Sequence, residues 1–381
     1  MSAWPGKYVI GLTGNIATGK SVVRKMLEHL GAYGIDADAL AHRAIAQGAP
    51  GYQPLINTFG KWILAPDGQI DRAKLGRVVF NDPEGMAQLE AIVHPLVVQA
   101  VDILIRRSGQ RVVVLEAIKL IESGLANKCD ALWITYAPYD TQLSRLMNKR
   151  GMTETAARQR INAQTPQEKR FALAGVVIRN ESSFEDTWQQ VYTAWQRTFP
   201  SAEVETEAEA LQPSRAVAGE WTVYRARPRE AGDIAGLITQ MSQGKRRATR
   251  EDIMAAFGEK AFLLLRVDGR VMGLVGWKVE NLVARTDDVF IDSNIAMVDA
   301  LRVLLNELER VSRELQCEIS LLFLPPEYHS QEVVLRALGY QRRTVQNLGV
   351  SAWEEAAIES MPAGSLMYFK QLRQDRVLRP V

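Results

Sequence analysis

Apolar positions in the first half of the chain fall into two alternating rhythms. Short unbroken runs at Tyr8 to Ile10, Arg111 to Leu115, Ala131 to Tyr136 and Val176 to Ile178 suit buried strands of a parallel sheet. Between them the spacing turns helical. Apolar residues at 22, 23, 26, 27 and 30 predict a helix from Ser21 to Leu30, and further helices are expected at about 140–150 and 153–164. Tyr33-Gly34-Ile35 reads as a short strand running into Asp36-Ala37-Asp38, with a helix beginning near Ala39. From Gly51 to Gly109 strong strand signals are missing. Short helical stretches there suggest a helical insertion over the sheet, with Asp82 before Pro83 as a cap and first-turn proline. Thr165-Pro166-Gln167-Glu168 predicts a capping box, and Ser182 to Glu185 a last helix start. Alternating strands and helices imply an α/β fold, a doubly wound parallel sheet.

The rhythm breaks between Pro200 and Glu220, where glutamates at 203, 205, 207 and 209 interrupt any apolar period, so this stretch reads as a linker. Beyond it, Trp221 to Ala226 alternates like a strand, and helices are expected at about 231–242 and 249–258. Ala261 to Val267, the Asp268-Gly269 turn and Val271 to Trp277 form a hairpin signal. A further strand is expected at Val289 to Ile291. A long helix at 297–315, a strand from Glu318 to Leu324 and a helix at 330–338 ending at Gly339 follow. The expected division is a domain at 1–199, a linker at 200–220 and an α+β domain at 221–381.

Composition narrows the functional classes. The 381 residues suit two domains, and 47% hydrophobic with 24% charged is ordinary for a soluble chain. A net charge of +2 gives no electrostatic case for nucleic acid or an anionic membrane. Cys129 and Cys317 have no metal-type spacing and suit a reducing, cytoplasmic setting. No apolar run approaches the roughly 20 residues a membrane span needs. The first strand follows the start of the sequence almost directly, so no signal peptide is expected. The histidines (29, 42, 94 and 329) are scattered, and no metal cluster is suggested.

Chemistry concentrates between Gly11 and Ser21. Gly14-x-x-x-x-Gly19-Lys20-Ser21 has the spacing of a phosphate-binding loop, between a strand and a helix. Glycines let backbone N–H groups turn toward phosphate oxygens. Lys20 reaches the outer phosphates and the Ser21 hydroxyl is the candidate ligand for Mg²⁺. Gly14, Asn15, Ile16, Ala17, Thr18, Gly19, Lys20, Ser21 and Val22 are thus the candidate nucleotide-binding residues. Asp36 and Asp38 stand beyond a strand end, where ligands gather in such sheets. They share a face if the segment is extended. Either can act on a substrate hydroxyl, or simply cap the helix near Ala39. The basic helices carrying Arg145, Lys149, Arg150, Arg158 and Arg160 are either a solvated face or a lid that stabilises a transferring phosphoryl group. Asn127-Lys128-Cys129-Asp130 matches the guanine-reading tetrapeptide of GTPases, but it precedes a strand instead of following one, so that reading is set aside.

Taken together, residues 8 to about 198 resemble dephospho-CoA kinase. The residues that carry the resemblance are the opening Gly11-Leu12-Thr13-Gly14, the loop ending Gly19-Lys20-Ser21, Asp36-Ala37-Asp38 and Phe80-Asn81-Asp82-Pro83. It continues through Leu89 to Leu96, Leu120 to Leu125, Gln142-Leu143-x-Arg145-Leu146 and Arg160-Ile161-x-x-Gln164. The resemblance implies ATP-dependent phosphorylation of the ribose 3′-hydroxyl of the small-molecule substrate dephospho-CoA, with ATP and Mg²⁺ as cofactors. It implies Asp38 as the base or orienting acid, Lys20 and Arg145 as charge-neutralising catalytic residues, and Ser21 at the metal. His94 and Glu122 then line the acceptor side with Asp38. Departures are Asn15 and Ala17 in place of loop glycines, Ile118-Lys119-Leu120 in place of Pro-Leu-Leu, Lys149 at a lid arginine, and Arg179-Asn180 in place of Asp-Asn. A kinase acting on another hydroxyl acceptor such as a nucleoside, or a non-catalytic CoA-binding regulatory module, is the alternative.

The element order after residue 220 resembles the GNAT acyltransferase fold, with Arg336 to Tyr340 as its closing helix-to-strand unit. Active members bind pyrophosphate through a glycine-rich turn before the long helix. This chain has no glycine between Trp277 and Leu338. A degenerate, non-catalytic GNAT-like domain is therefore expected, and Lys245-Arg246-Arg247 and the tail arginines at 373, 376 and 379 are read as solvated charge.

Overall fold

The computed structural model describes residues 3–79, 82–200, 221–242, 244–375 and 377–378. The expected linker, Phe80 and Asn81, and Arg376 and Arg379 lie outside the described residues.

The apolar runs of the first half become β1 (Tyr8–Gly14), β2 (Tyr33–Asp36), β3 (Val112–Glu116), β4 (Ala131–Tyr136) and β5 (Val176–Arg179). They pair in parallel in the order β2-β3-β1-β4-β5. Alternate strand residues serve opposite faces, as the period of two requires. Ile10, Leu12, Val112 and Val114 pack with Val23, Met26 and Leu27 of α1 (Lys20–His29) and with Val191 and Trp195 of α9 (Phe184–Thr198). Val9, Val113 and Leu115 pack on the other face with Leu40 of α2 (Ala37–Ala44) and with Val97, Val101 and Leu104 of α5 (Pro83–Arg107). The insertion is helical, with α3 (Tyr52–Phe59) and α4 (Arg72–Val79) beside α5. By length and composition α5 could cross a bilayer, contrary to the expectation from the sequence. Its buried residues Val97, Ala100, Val101, Leu104 and Ile105 pack in the core with strand residues Val9, Val113 and Leu115.

Then come α6 (Tyr139–Arg150), α7 (Glu154–Asn162) and α8 (Gln167–Phe171). The helix expected to be capped at Thr165 instead has Pro166 as its N-cap, with no side-chain cap among the described residues. Ser183 and Asp186 do form one at α9.

The second half forms a mixed sheet from β6 (Trp221–Arg225), β7 (Ala261–Val267), β8 (Arg270–Glu280), β9 (Val283–Ile291), β10 (Ile319–Leu324), β11 (Gln341–Arg342) and β12 (Leu366–Gln371). Its helices are α10 (Ala231–Met241), α11 (Arg250–Phe257), α12 (Met297–Glu314), α13 (Glu332–Ala337) and α14 (Ser351–Ser360). β9 is longer than expected because its charges are buried. Arg285 bonds Ala356 O, Glu359, Ser360 Oγ and Glu280, and Asp288 pairs with Lys260 and Arg246. Arg246 is therefore not merely solvated. β9 and β10 pair in parallel from Val283–Ile319 to Thr286–Leu322. Beyond that point the buried Tyr328 hydroxyl donates to Val289 O at 3.1 Å.

The β8–β9 turn joins the two halves. Glu280 pairs with Val283, leaving Asn281 at φ 53° and Leu282 at φ 61°, a two-residue turn made without glycine. Left-handed backbone costs a leucine about 1–2 kcal/mol. Burial offsets that cost, because Leu282 joins the core containing Tyr33, Ile35, Leu40 and Leu104. Arg43 donates to Asn281 O at 2.7 Å and to Glu318 Oε2 at 2.6 Å. His29 is half-buried at the end of α1; desolvation first, then Arg225, holds its pKa down at about 3. Arg225 donates to Nδ1 of the neutral ring, so Nε2–H donates to Phe257 O at 2.8 Å.

Candidate functional site

The loop between β1 and α1 is shaped by contacts that exclude side chains. At Gly14 (φ 153°) a Cβ would lie 2.3 Å from Thr135 Oγ1, and at Gly19 (φ 93°) 1.8 Å from Asn180 Nδ2. The spacing glycines are thus sterically required. Ala17 sits at φ 59°, a left-handed conformation more easily held by the glycine it replaces. Lys20 Nζ curls back to Gly14 O at 3.0 Å and Asn15 O at 3.1 Å. Burial lowers its pKa, opposed by the charges of Glu116 and Asp38. The Ile16 amide donates to Gln164 Oε1 at 2.7 Å, and Thr18 Oγ1 donates to Asn15 O at 2.8 Å.

Asn180, just past β5, is the fastener of this loop. It is 8% exposed. Its Nδ2 donates to Thr18 O at 3.1 Å. Arg145 of α6 donates to Asn180 O and Oδ1 at 3.0 and 3.2 Å, and to Ala17 O at 3.1 Å. Arg145 is thereby tied to the loop, whereas Lys149 and Arg150 at the end of α6 are exposed. Val22, in the first turn of α1, is half-buried against the sheet core.

Ser21 Oγ donates to Glu116 Oε1 at 2.9 Å, and Arg24 Nε donates to Glu116 Oε2 at 2.7 Å. Glu116 ends β3, as the sequence indicates. Its role escaped the sequence reading because its partner lies 95 positions away in the chain.

Asp36 and Asp38 do not share an extended face. Asp36 ends β2 and caps α2, accepting from the Ala39 amide at 2.9 Å. Asp38 is already within α2, which starts at Ala37 and not near Ala39. Its Oδ2 accepts from the Ile118 amide at 3.0 Å. Burial, reinforced by Asp36, raises the Asp38 pKa to about 6. That value suits a base working near neutral pH.

Glu122 accepts from Arg170 Nη2 at 2.6 Å. Arg170, on α8, is buried, and its Nε and Nη1 have no hydrogen-bond partner among the described residues. Buried unpaired donors are costly, so this fork is set to receive an anion. Its neighbour Glu122 was singled out from the sequence; Arg170 was not. His94 is half-buried on α5 and makes no hydrogen bond among the described residues.

The dephospho-CoA kinase family model matches residues 8–186. A Geobacter sulfurreducens dephospho-CoA kinase is 40% identical over 195 residues, covering 50% of this chain and 99% of that relative. A crystal structure from Thermus thermophilus is 31% identical, covers 51% of this chain and 99% of its own, and gives a TM-score of 0.47. A GNAT-family acetyltransferase from Staphylococcus aureus is similar at 13% identity, over 40% of this chain and 99% of its own, with a TM-score of 0.33.

Proposed function

The chain belongs to the dephospho-CoA kinase family, and on that premise we propose that it transfers the γ-phosphoryl group of ATP to the ribose 3′-hydroxyl of dephospho-CoA, giving CoA and ADP. The observation that carries the reading is Asp38: a carboxylate fixed by the Ile118 amide, with a pKa near 6, electrostatically coupled to the loop lysine Lys20.

In this reading the deprotonated Asp38 accepts the hydroxyl proton as that oxygen bonds to the γ-phosphorus. The bond from phosphorus to the β–γ bridging oxygen breaks, and ADP leaves with that electron pair. Lys20 and Arg145 offset the charge on the transferring group. Backbone N–H groups of the loop between Gly14 and Val22, other than the Ile16 amide held by Gln164, hold the phosphates. Glu122 and His94 line the acceptor side.

Mg²⁺ fits the residues present. Ser21 Oγ and Glu116 Oε1, 2.9 Å apart, are the hard oxygen donors it prefers, and a nucleotide-bound Mg²⁺ needs only one or two carboxylates. The ion supplies charge neutralisation across the phosphates. We place the reaction in the cytoplasm, which suits the free thiols of Cys129 and Cys317.

We propose domains at 1–199 and 221–381 joined by 200–220, supported by each sheet drawing all its strands from one side of that segment. We also infer that the second half transfers no acyl group, because no glycine stands between Trp277 and Leu338 to shape a pyrophosphate-binding turn.

The test is ADP release by the full chain with dephospho-CoA, adenosine and other nucleosides compared. Turnover on dephospho-CoA is expected. Turnover on a nucleoside with none on dephospho-CoA would overturn the reading. For the second half, thiol release from acetyl-CoA with amine acceptors is expected to stay at background.

A further inference from the structure

A continuous chain of polar contacts runs from the end of β8, beside the β8–β9 turn, to the loop serine, and its middle members are buried. Lys25 Nζ donates to Val279 O at 3.0 Å and to Glu28 Oε2 at 2.9 Å. Arg24 Nη1 donates to Glu28 Oε1 at 2.6 Å, and Arg24 Nε to Glu116 Oε2 at 2.7 Å. The other Glu116 oxygen receives Ser21 Oγ at 2.9 Å. Lys25, Arg24, Glu28 and Glu116 are all buried. Burial pushes the Glu28 carboxyl up, but Lys25 and Arg24 outweigh it and hold its pKa at about 2.

The surrounding structure fixes each link. A Cβ at Gly34 would lie 1.9 Å from Glu28 Oε1, so the glycine leaves the room that the carboxylate occupies. The turn itself is held by Arg43 on Asn281 O and by Leu282 in the core of the first half. A buried ion pair depends on geometry and on completed hydrogen bonding. Lys25 takes one of its partners from the second half.

We infer that the β8–β9 turn sets the geometry of the Ser21–Glu116 pair through Lys25, Glu28 and Arg24, which act as positioning residues for Mg²⁺-dependent nucleotide binding. The inference rests on the reading that Ser21 and Glu116 hold Mg²⁺. Val279, contributed by the second half, is part of the relay. Coupling of this kind is reciprocal: Mg²⁺-nucleotide binding tightens the turn, and docking of the turn strengthens Mg²⁺-nucleotide binding.

The experiment is calorimetric titration of ADP into the full chain with and without MgCl₂. In Lys25→Met and Gly34→Ala, the affinity gained from Mg²⁺ should fall about tenfold, as expected for loss of one charge-assisted hydrogen bond. Affinity without Mg²⁺ should stay within about twofold. Lys25→Arg, which keeps the charge and donors, should recover most of the gain. Leu282→Ala, which loosens the turn from the second half's side, should show the same loss and covers any failure of the buried variants to fold. In the wild type, amides of the turn should exchange more slowly with Mg²⁺-ADP bound. If every folded variant keeps the wild-type gain, the relay is only structural and the inference is overturned. If the wild type itself gains nothing from Mg²⁺, the Ser21–Glu116 reading is what fails.

Discussion

Arg43 Nη2 and Glu318 Oε2 meet at 2.6 Å across the boundary of the two halves, with side chains 5% and 1% exposed. Glu318 also accepts from Trp353 Nε1 at 3.1 Å. Removing one partner of a buried pair leaves an uncompensated charge, which costs about 3–5 kcal/mol. Glu318→Gln keeps an acceptor for Trp353 and should lose about that much. Urea denaturation followed by tryptophan fluorescence measures it; a loss below about 1 kcal/mol would mean that water reaches Arg43.

The raised pKa of Asp38 makes two pH predictions. As a base it must be ionised, so kcat/KM should rise with pH through about 6. Asp38→Asn should lower the rate by roughly 10²–10⁴ and abolish that limb. The folded pKa lies above the ordinary value of 3.8, so the native state binds the extra proton between those values. Stability contributed by Asp38 is therefore present below about 4 and lost as pH rises through about 6. Thermal unfolding across this window should show a shallower decline in the asparagine variant. An unchanged pH–rate profile in that variant would remove Asp38 from the base role.

Two loop positions should respond in opposite directions. Gly19→Ala places a methyl 1.8 Å from Asn180 Nδ2 at φ 93°, and should cost at least about 2 kcal/mol and most of the ATP affinity. Ala17→Gly relieves a residue at φ 59° and should stabilise by about 0.5 kcal/mol, after allowing for the looser unfolded chain. Calorimetric unfolding of both variants decides the matter.

Arg170 has two buried donors that lack partners among the described residues. If they bind an acceptor anion, Arg170→Lys should raise KM for dephospho-CoA by about tenfold and leave KM for ATP unchanged, because lysine lacks the planar fork. Equal changes in both constants would point to general disruption of α8.

What the sequence made legible was local in the chain. The loop from Gly14 to Ser21 could be read because strand, glycines and helix are contiguous, and the parallel sheet because each strand is an unbroken apolar run. Asp38 was found, though its backbone was misjudged, since strand and helix meet between Asp36 and Ala37. Glu116 and Arg170 gain their meaning from Ser21 and Glu122, far away in sequence. The β8–β9 turn was hidden for two reasons. It has no glycine, and Arg285 and Asp288 look exposed until the residues that neutralise them are brought beside them.

Insertion of Leu282 into the core of the first half also bears on biosynthesis. The ribosome makes the P-loop half first, yet that half's hydrophobic cluster is completed by a side chain made much later, and Arg43 meets its counter-ion only once Glu318 has emerged. A chain that stalls in between holds a finished phosphate loop beside an unfinished core and an unpaired guanidinium. Full assembly of this kinase half is thus tied to completed translation of the partner fused behind it.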